Sequence, residues 1–204
     1  MIESYENIIQ IVVLVVCVAV AGSRALAYRS RTWTLLAFSF GSMLLGDLFW
    51  LACLIFYGDT PQVSAVSDLS WYAAYLFFYL LLRQVTPQVS GREKSLFPLL
   101  APAFTLAMAA FYSQWGGVLN NIIYALLMGL LMGAVLRRFR GVGNRPYRSL
   151  LTVTLVFCLL EYCLWTASCF WDGDTLKNPY YWCDFLVTVS YLFFLPATKK
   201  AVAA

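Results

Sequence analysis

Two acidic residues set inside long apolar runs are the main chemical feature of this chain. Asp47 lies in GDLFWLACLIFY and Glu161 in LEYCLWTASCFW. Each run is followed by an acidic turn and then by a second acid opening the next apolar run. Asp47 pairs in this way with Glu161, Gly58-Asp59-Thr60 with Gly173-Asp174-Thr175, Asp68 with Asp184, and Tyr75 with Tyr191. Apart from Arg24 and Arg83 at the ends of their runs, no Lys or Arg lies inside any apolar run, and the chain has no histidine. An ionised side chain at such a depth in a bilayer costs ~2.5–3.5 kcal/mol on insertion scales. Three arrangements remove that cost: a neutral carboxyl hydrogen-bonded to a neighbouring helix, a water-filled cavity, or a bound cation. An acid in this setting is by default a functional residue.

The second acids extend the pattern. Asp68, Tyr72 and Tyr75 stand at i, i+4 and i+7, one face of a helix, and Asp184, Thr188 and Tyr191 repeat the spacing. An acid in a first helical turn also suits the helix dipole. The stripe running inward below it fits a vestibule leading to Asp47 and Glu161. Trp50 and Trp165 stand one turn further out than those two acids. With Tyr72, Tyr75, Tyr162 and Tyr191 they could form an aromatic cage for an organic cation; the competing reading is ordinary core or lipid-facing packing. The absence of histidine excludes a Ser-His-Asp triad and a histidine-held haem. The six cysteines show no CxxC spacing, so no metal site, no cofactor and no catalytic residue is assigned. Cys169 and Cys183 flank one loop, where a disulfide competes with two small buried thiols.

The elements that would position these residues are membrane spans. Of 204 residues, 62% are hydrophobic and 12% charged, against about 25% charged in soluble domains. Seven apolar segments occur, at 7–27, 33–57, 67–83, 96–113, 119–136, 149–171 and 180–197. Most approach the roughly 20 residues an α-helix needs to cross the hydrocarbon. The first lacks a basic leader, since Glu3 and Glu6 precede it, and is expected to be a retained span. The expected fold is therefore an all-α polytopic membrane protein of seven transmembrane helices in the cell membrane.

The loop charges set an orientation. Arg24, Arg29 and Arg31, then Arg83, Arg92 and Lys94, then the arginines at 137, 138, 140, 145 and 148, and finally Lys199 and Lys200 all fall on one side of seven spans. The other side holds Lys177 with Glu3, Glu6, Asp59, Asp172 and Asp174. The positive-inside rule then puts the N-terminus outside. The net charge of +4 is explained by these loops and points to no nucleic acid. Matching residues extend backwards, Asn7-Ile8-Ile9 with Asn121-Ile122-Ile123 and Arg24 with Arg138. The chain so divides into repeat one at 7–83, a linker helix at 96–113 and repeat two at 119–197, a parallel 3+1+3 duplication. Gly129 and Gly133 form GxxxG, which permits close helix approach.

This layout resembles SWEET sugar transporters, PQ-loop proteins and microbial rhodopsins. Pro61-Gln62 and Pro87-Gln88 are PQ pairs at non-equivalent loop positions, and no lysine lies inside the last span to hold a retinal. The run GDLFW…GDTPQ…SDLSWYAAYLFF resembles uncharacterised bacterial seven-helix proteins and the membrane input regions of signalling enzymes. That resemblance implies a ligand-sensing core working with a cytoplasmic partner. The segment SFGSMLLGDLFW is similar to an element of lysoplasmalogenases, implying a lipid enzyme, without that family's histidines. The residues themselves favour a protein that binds or transports a small cationic or proton-coupled solute. Asp47, Glu161, Asp68, Asp184, Trp50, Trp165, Tyr72, Tyr75 and Tyr191 would contact it. The expected partners are the bilayer, that ligand, and either a second copy or a signalling protein.

Overall fold

The computed structural model describes residues 2–58, 60–61, 65–86, 97–115, 117–139, 146–171 and 173–203. Asp59, Gln62, Pro87-Gln88, Arg92, Lys94, Arg140, Arg145 and Asp172 lie outside the described residues. The elements are α1 (Ile2–Tyr28), α2 (Arg31–Tyr57), α3 (Ala65–Val85), α4 (Phe97–Tyr112), α5 (Val118–Phe139), α6 (Arg148–Phe170) and α7 (Pro179–Val202). No strand occurs among the described residues. Six of the helices are long and apolar enough to cross a bilayer, which makes this a multi-pass helical membrane protein. At 16 residues α4 is the short one, about 24 Å against the ~30 Å of hydrocarbon.

The helix limits follow the apolar pattern with one consequential difference. The helix α1 begins at Ile2, ahead of the limit at 7 expected from hydropathy. Its first backbone N–H groups have no partner within the helix, and Asp174 supplies one from the far end of the chain. The Asp174 carboxylate accepts from Ile2 N–H at 3.1 Å and Glu3 N–H at 3.0 Å. The Tyr181 hydroxyl donates to the same carboxylate at 3.2 Å. Glu3 and Glu6 therefore stand on helix rather than in a flanking tail. Two glycines of the repeated turns serve the backbone: Gly58 ends α2 at φ 72° and Gly173 turns at φ 105°. Both values lie where a Cβ is disfavoured.

Six helices close a ring in the order α1, α2, α3, α5, α6, α7, with α7 returning to α1. The short α4 packs on the outside, against α5. The GxxxG pair explains that seam. A methyl on Gly133 would stand 3.4 Å from Ala101 Cβ, and one on Gly129 would run into the Thr105 side chain. Neighbouring contacts fix the helix directions: Trp50 meets Glu3, Trp71 meets Asp47, Tyr75 meets Tyr124, and Phe157 meets Phe194. The ends of the bundle consequently differ in charge. Among the described residues every basic side chain except Lys177 stands at one end, near the α1–α2 turn and the C-termini of α3, α5 and α7. Glu3, Asp174 and Lys177 stand at the other.

Towards the basic half, four phenyl rings meet on the bundle axis: Phe40 of α2, Phe78 of α3, Phe157 of α6 and Phe194 of α7, each 0% exposed. Phe78 and Phe194 lie 4.7 Å apart between ring centroids, Phe78 and Phe157 5.3 Å, and Phe40 and Phe78 6.0 Å. Such offset and edge-on contacts are the favoured aromatic geometry. This cluster lies between the acidic half of the interior and the basic end.

Candidate functional site

Three carboxylates are buried on the acidic side of the phenylalanine cluster: Asp47 at 4% exposure, Glu161 at 4% and Asp184 at 5%. A fourth, Glu6, has both oxygens shielded. Rise per residue sets their depth. Glu6 is about 6 Å and Asp184 about 8 Å from the starts of α1 and α7, whereas Asp47 and Glu161 are about 14–15 Å from the ends of α2 and α6. The acids thus descend in steps from Glu3 at the rim, through Glu6 and Asp184, to Asp47 and Glu161.

Glu161 is held by two phenols. Tyr75 of α3 and Tyr124 of α5 each donate a hydroxyl to Glu161 Oε2, at 3.2 and 3.1 Å. The tyrosine rings pack edge-on at 5.6 Å, and Trp165 stacks flat on Tyr124 at 3.5 Å between centroids. Asp47 has one donor. Trp71 Nε1 reaches Asp47 Oδ1 at 2.9 Å, while Oδ2 is buried without a partner. The Gly-Asp pair has a steric reason: a Cβ on Gly46 would lie 2.5 Å from Trp71 Nε1, so only glycine lets the indole cross α2 to the carboxylate.

Asp184 accepts from Gln10 Nε2 at 3.3 Å and faces the Glu6 carboxyl within hydrogen-bonding reach. Asp47 and Glu161 are each close enough to Asp184, and Asp47 to Glu161, for their charges to interact. Among the described residues the basic side chains stand at the far end, and the exception, Lys177, sits in the exposed α6–α7 loop. Four carboxyls from four helices therefore share one interior without a cationic side chain. Protons or a bound cation must compensate them, because two unpaired carboxylates repel in a medium of low dielectric constant.

The structure brings Asp47, Glu161, Asp184, Tyr75 and Tyr191 into this interior. It places the other candidates elsewhere. Asp68 is half-buried in the first turn of α3, close to Tyr72. Tyr72 donates to the Asn120 carbonyl at 3.0 Å and also meets the Asn120 side chain, across the α3–α5 seam. Trp50 donates to Glu3 Oε1 at 3.2 Å and leans on Trp71. Trp165 lies against Tyr112 and Tyr124 on the opposite flank. Tyr162 faces α4, 5.0 Å from Phe104. Trp50 and Trp165 back different acids, Tyr72 and Tyr162 face other neighbours, and the four do not ring one cage. Cys169 and Cys183 are free thiols, half-buried.

Glu6, Gln10, Trp71 and Tyr124 complete the site and were not singled out from sequence. A signal existed for the first two: Glu3, Glu6 and Gln10 fall at i, i+3 and i+7, a polar stripe on an otherwise apolar helix. Comparison with protein-family models, with curated proteins and with solved structures matches nothing to this chain.

Proposed function

We propose that this membrane protein binds and moves a small cationic or proton-coupled solute through its buried carboxyls. The observation that carries the reading is the convergence of Glu6, Asp47, Glu161 and Asp184 on one interior with no basic partner among the described residues. The unpartnered Asp47 Oδ2 is a free ligand atom at the deepest step. A cation arriving from the acidic end exchanges water for carboxylate oxygens in stages, Glu6 and Asp184 first, Asp47 and Glu161 next. Protons leave as it arrives, so that net charge in the interior stays low. Beneath it the phenylalanine cluster closes the path, and passage requires that cluster to part.

The charge asymmetry of the ends supports an orientation with the basic end cytoplasmic. The order of helices in the ring supports the duplication. Helices α1–α3 and α5–α7 each form a consecutive arc, and the two arcs meet at equivalent parallel seams, α3 with α5 and α7 with α1. The matched residues Phe78 and Phe194 touch at the centre, as a two-fold axis along the membrane normal requires of residues beside it. The two halves differ in chemistry: one seam carries Glu6 and Asp184, the other Asn120 and Tyr72.

The test is flux in proteoliposomes containing the intact chain, with a pH-sensitive dye inside and alkali or organic ammonium ions outside. Cation-driven proton movement is expected in the wild type, with a loss of at least tenfold in Asp47→Asn and in Glu161→Gln. Flux unchanged in both variants removes the mechanism.

A further inference from the structure

Between α1 and α7 a groove opens towards the lipid at the acidic end of the bundle. Its volume is about 210 Å³, larger than a 150 Å³ apolar cavity that takes up benzene. Its walls are apolar: Tyr5 and Ile9 on α1, Trp182 and Phe185 on α7. These are among the exposed large side chains of the protein, Tyr5 at 62% and Trp182 at 57%. Glu6 and Thr188 are the lining residues with a carboxyl or an aliphatic hydroxyl. Thr188 is 2% exposed and its hydroxyl lacks a hydrogen-bond partner, while the shielded Glu6 carboxyl has only the Asp184 carboxyl facing it. An apolar groove backed by a carboxyl pair and an unpaired hydroxyl is unusual, because buried polar groups are otherwise neutralised by donors or cations.

We propose that this groove admits a lipophilic amine from the outer leaflet: its alkyl tail lies along Ile9 and Phe185, and its ammonium is held by Glu6 and Thr188. The proposal rests on reading the buried carboxyls as a cation site, and it names the substrate class. The chemistry of the back wall selects the head group. A primary ammonium offers three N–H donors and matches a carboxylate and a hydroxyl, with rotation about the Glu6 side-chain bonds bringing its oxygens to the groove floor. A phosphate or carboxylate head would meet Glu6 with Asp184 behind it, charges of the same sign. Both helices start at this end and run parallel from it, so the groove spans about two turns, roughly 10 Å. That is the depth at which the head of a single-chain amphiphile sits while its tail stays in lipid. From there Asp184 is the next acid inward.

The test uses the full chain in phosphatidylcholine nanodiscs with 6-bromododecylamine as probe, read by quenching of tryptophan fluorescence. Saturable quenching is expected, and Trp182→Phe should remove most of it, since Trp182 lines the groove. The neutral 6-bromododecanol and the anionic 6-bromododecanoate should show only the linear quenching of bilayer partition. Glu6→Gln and Ile9→Phe, which respectively delete the anion and fill the groove, should each weaken amine binding at least tenfold. Equal saturable binding of the alcohol and the amine to wild-type protein overturns the proposal without any mutation. So does a Glu6→Gln affinity within twofold of wild type. Failure of the groove with flux still dependent on Asp47 therefore removes this inference alone, whereas intact quenching with flux indifferent to Asp47 and Glu161 removes the transport reading alone.

Discussion

At the scale of single residues, Asp47 and Glu161 lie at similar depths yet have different partners. Glu161 receives two phenolic hydroxyls, and Asp47 a single indole N–H. A buried acceptor stripped of its donor keeps its desolvation penalty, about 1–3 kcal/mol. Tyr75→Phe and Tyr124→Phe should therefore each lower stability by about 1–2 kcal/mol, with the double variant worse than either alone, read from thermal melting in detergent. Gly46→Ala tests the other acid. The added methyl pushes Trp71 off Asp47, so Gly46→Ala and Trp71→Phe should reduce flux to the same degree. Normal flux in Gly46→Ala with loss in Trp71→Phe would show that the indole can shift and keep its bond.

The helices show what sequence reveals and what it hides. Seven apolar stretches, of which six form helices of spanning length, the deep acids Asp47 and Glu161, and the small-residue contact at Gly129 and Gly133 were legible, because each depends on local composition or on one helix face. The start of α1 was not. Hydropathy places it after the charged residues, but Asp174, remote in sequence, caps the first turn and carries the helix out to Ile2. That one long-range bond pair moves Glu6 from a tail into the site. Trp71 and Tyr124 were hidden for the same reason, since aromatics are common in apolar helices and only packing distinguishes a donor from filler. Asp174→Ala should fray the first turn of α1 at a cost of about 1 kcal/mol, seen as faster hydrogen exchange at Glu3 to Asn7 with Ala21 to Tyr28 unchanged. Gly129→Val should separate α4 from α5, at about 1–3 kcal/mol for an overpacked contact, and should leave the carboxyl cluster and its flux intact because α4 stands outside the ring.

At the scale of the whole molecule the interior has three zones: stepped acids, a closed aromatic centre, and a basic end. The proposed transport makes a specific demand on the centre. If Phe40, Phe78, Phe157 and Phe194 form the barrier, they must be tight at rest and able to part; if they are only core, their loss changes stability alone. Phe78 decides between these, since it contacts Phe40, Phe157 and Phe194. Phe78→Ala removes a ring from a closed cluster, with an expected cost of about 3–5 kcal/mol, and leaves a void continuous with the carboxyls above. Phe78→Leu keeps most of the volume and serves as the control. Proteoliposomes of the alanine variant, melted first to confirm folding at the assay temperature, should leak protons several-fold faster than wild type with no solute added. The leucine variant should stay sealed. Combining Phe78→Ala with Asp47→Asn should reduce the leak again, because a proton crossing the gap has to hop from the lowest acid. A sealed alanine variant with a lowered melting temperature would assign the four rings to packing and move the barrier to another level of the bundle. A leak indifferent to Asp47→Asn would mean that water fills the void without using the acids, and the stepped carboxyls would then be a binding site with no part in conduction.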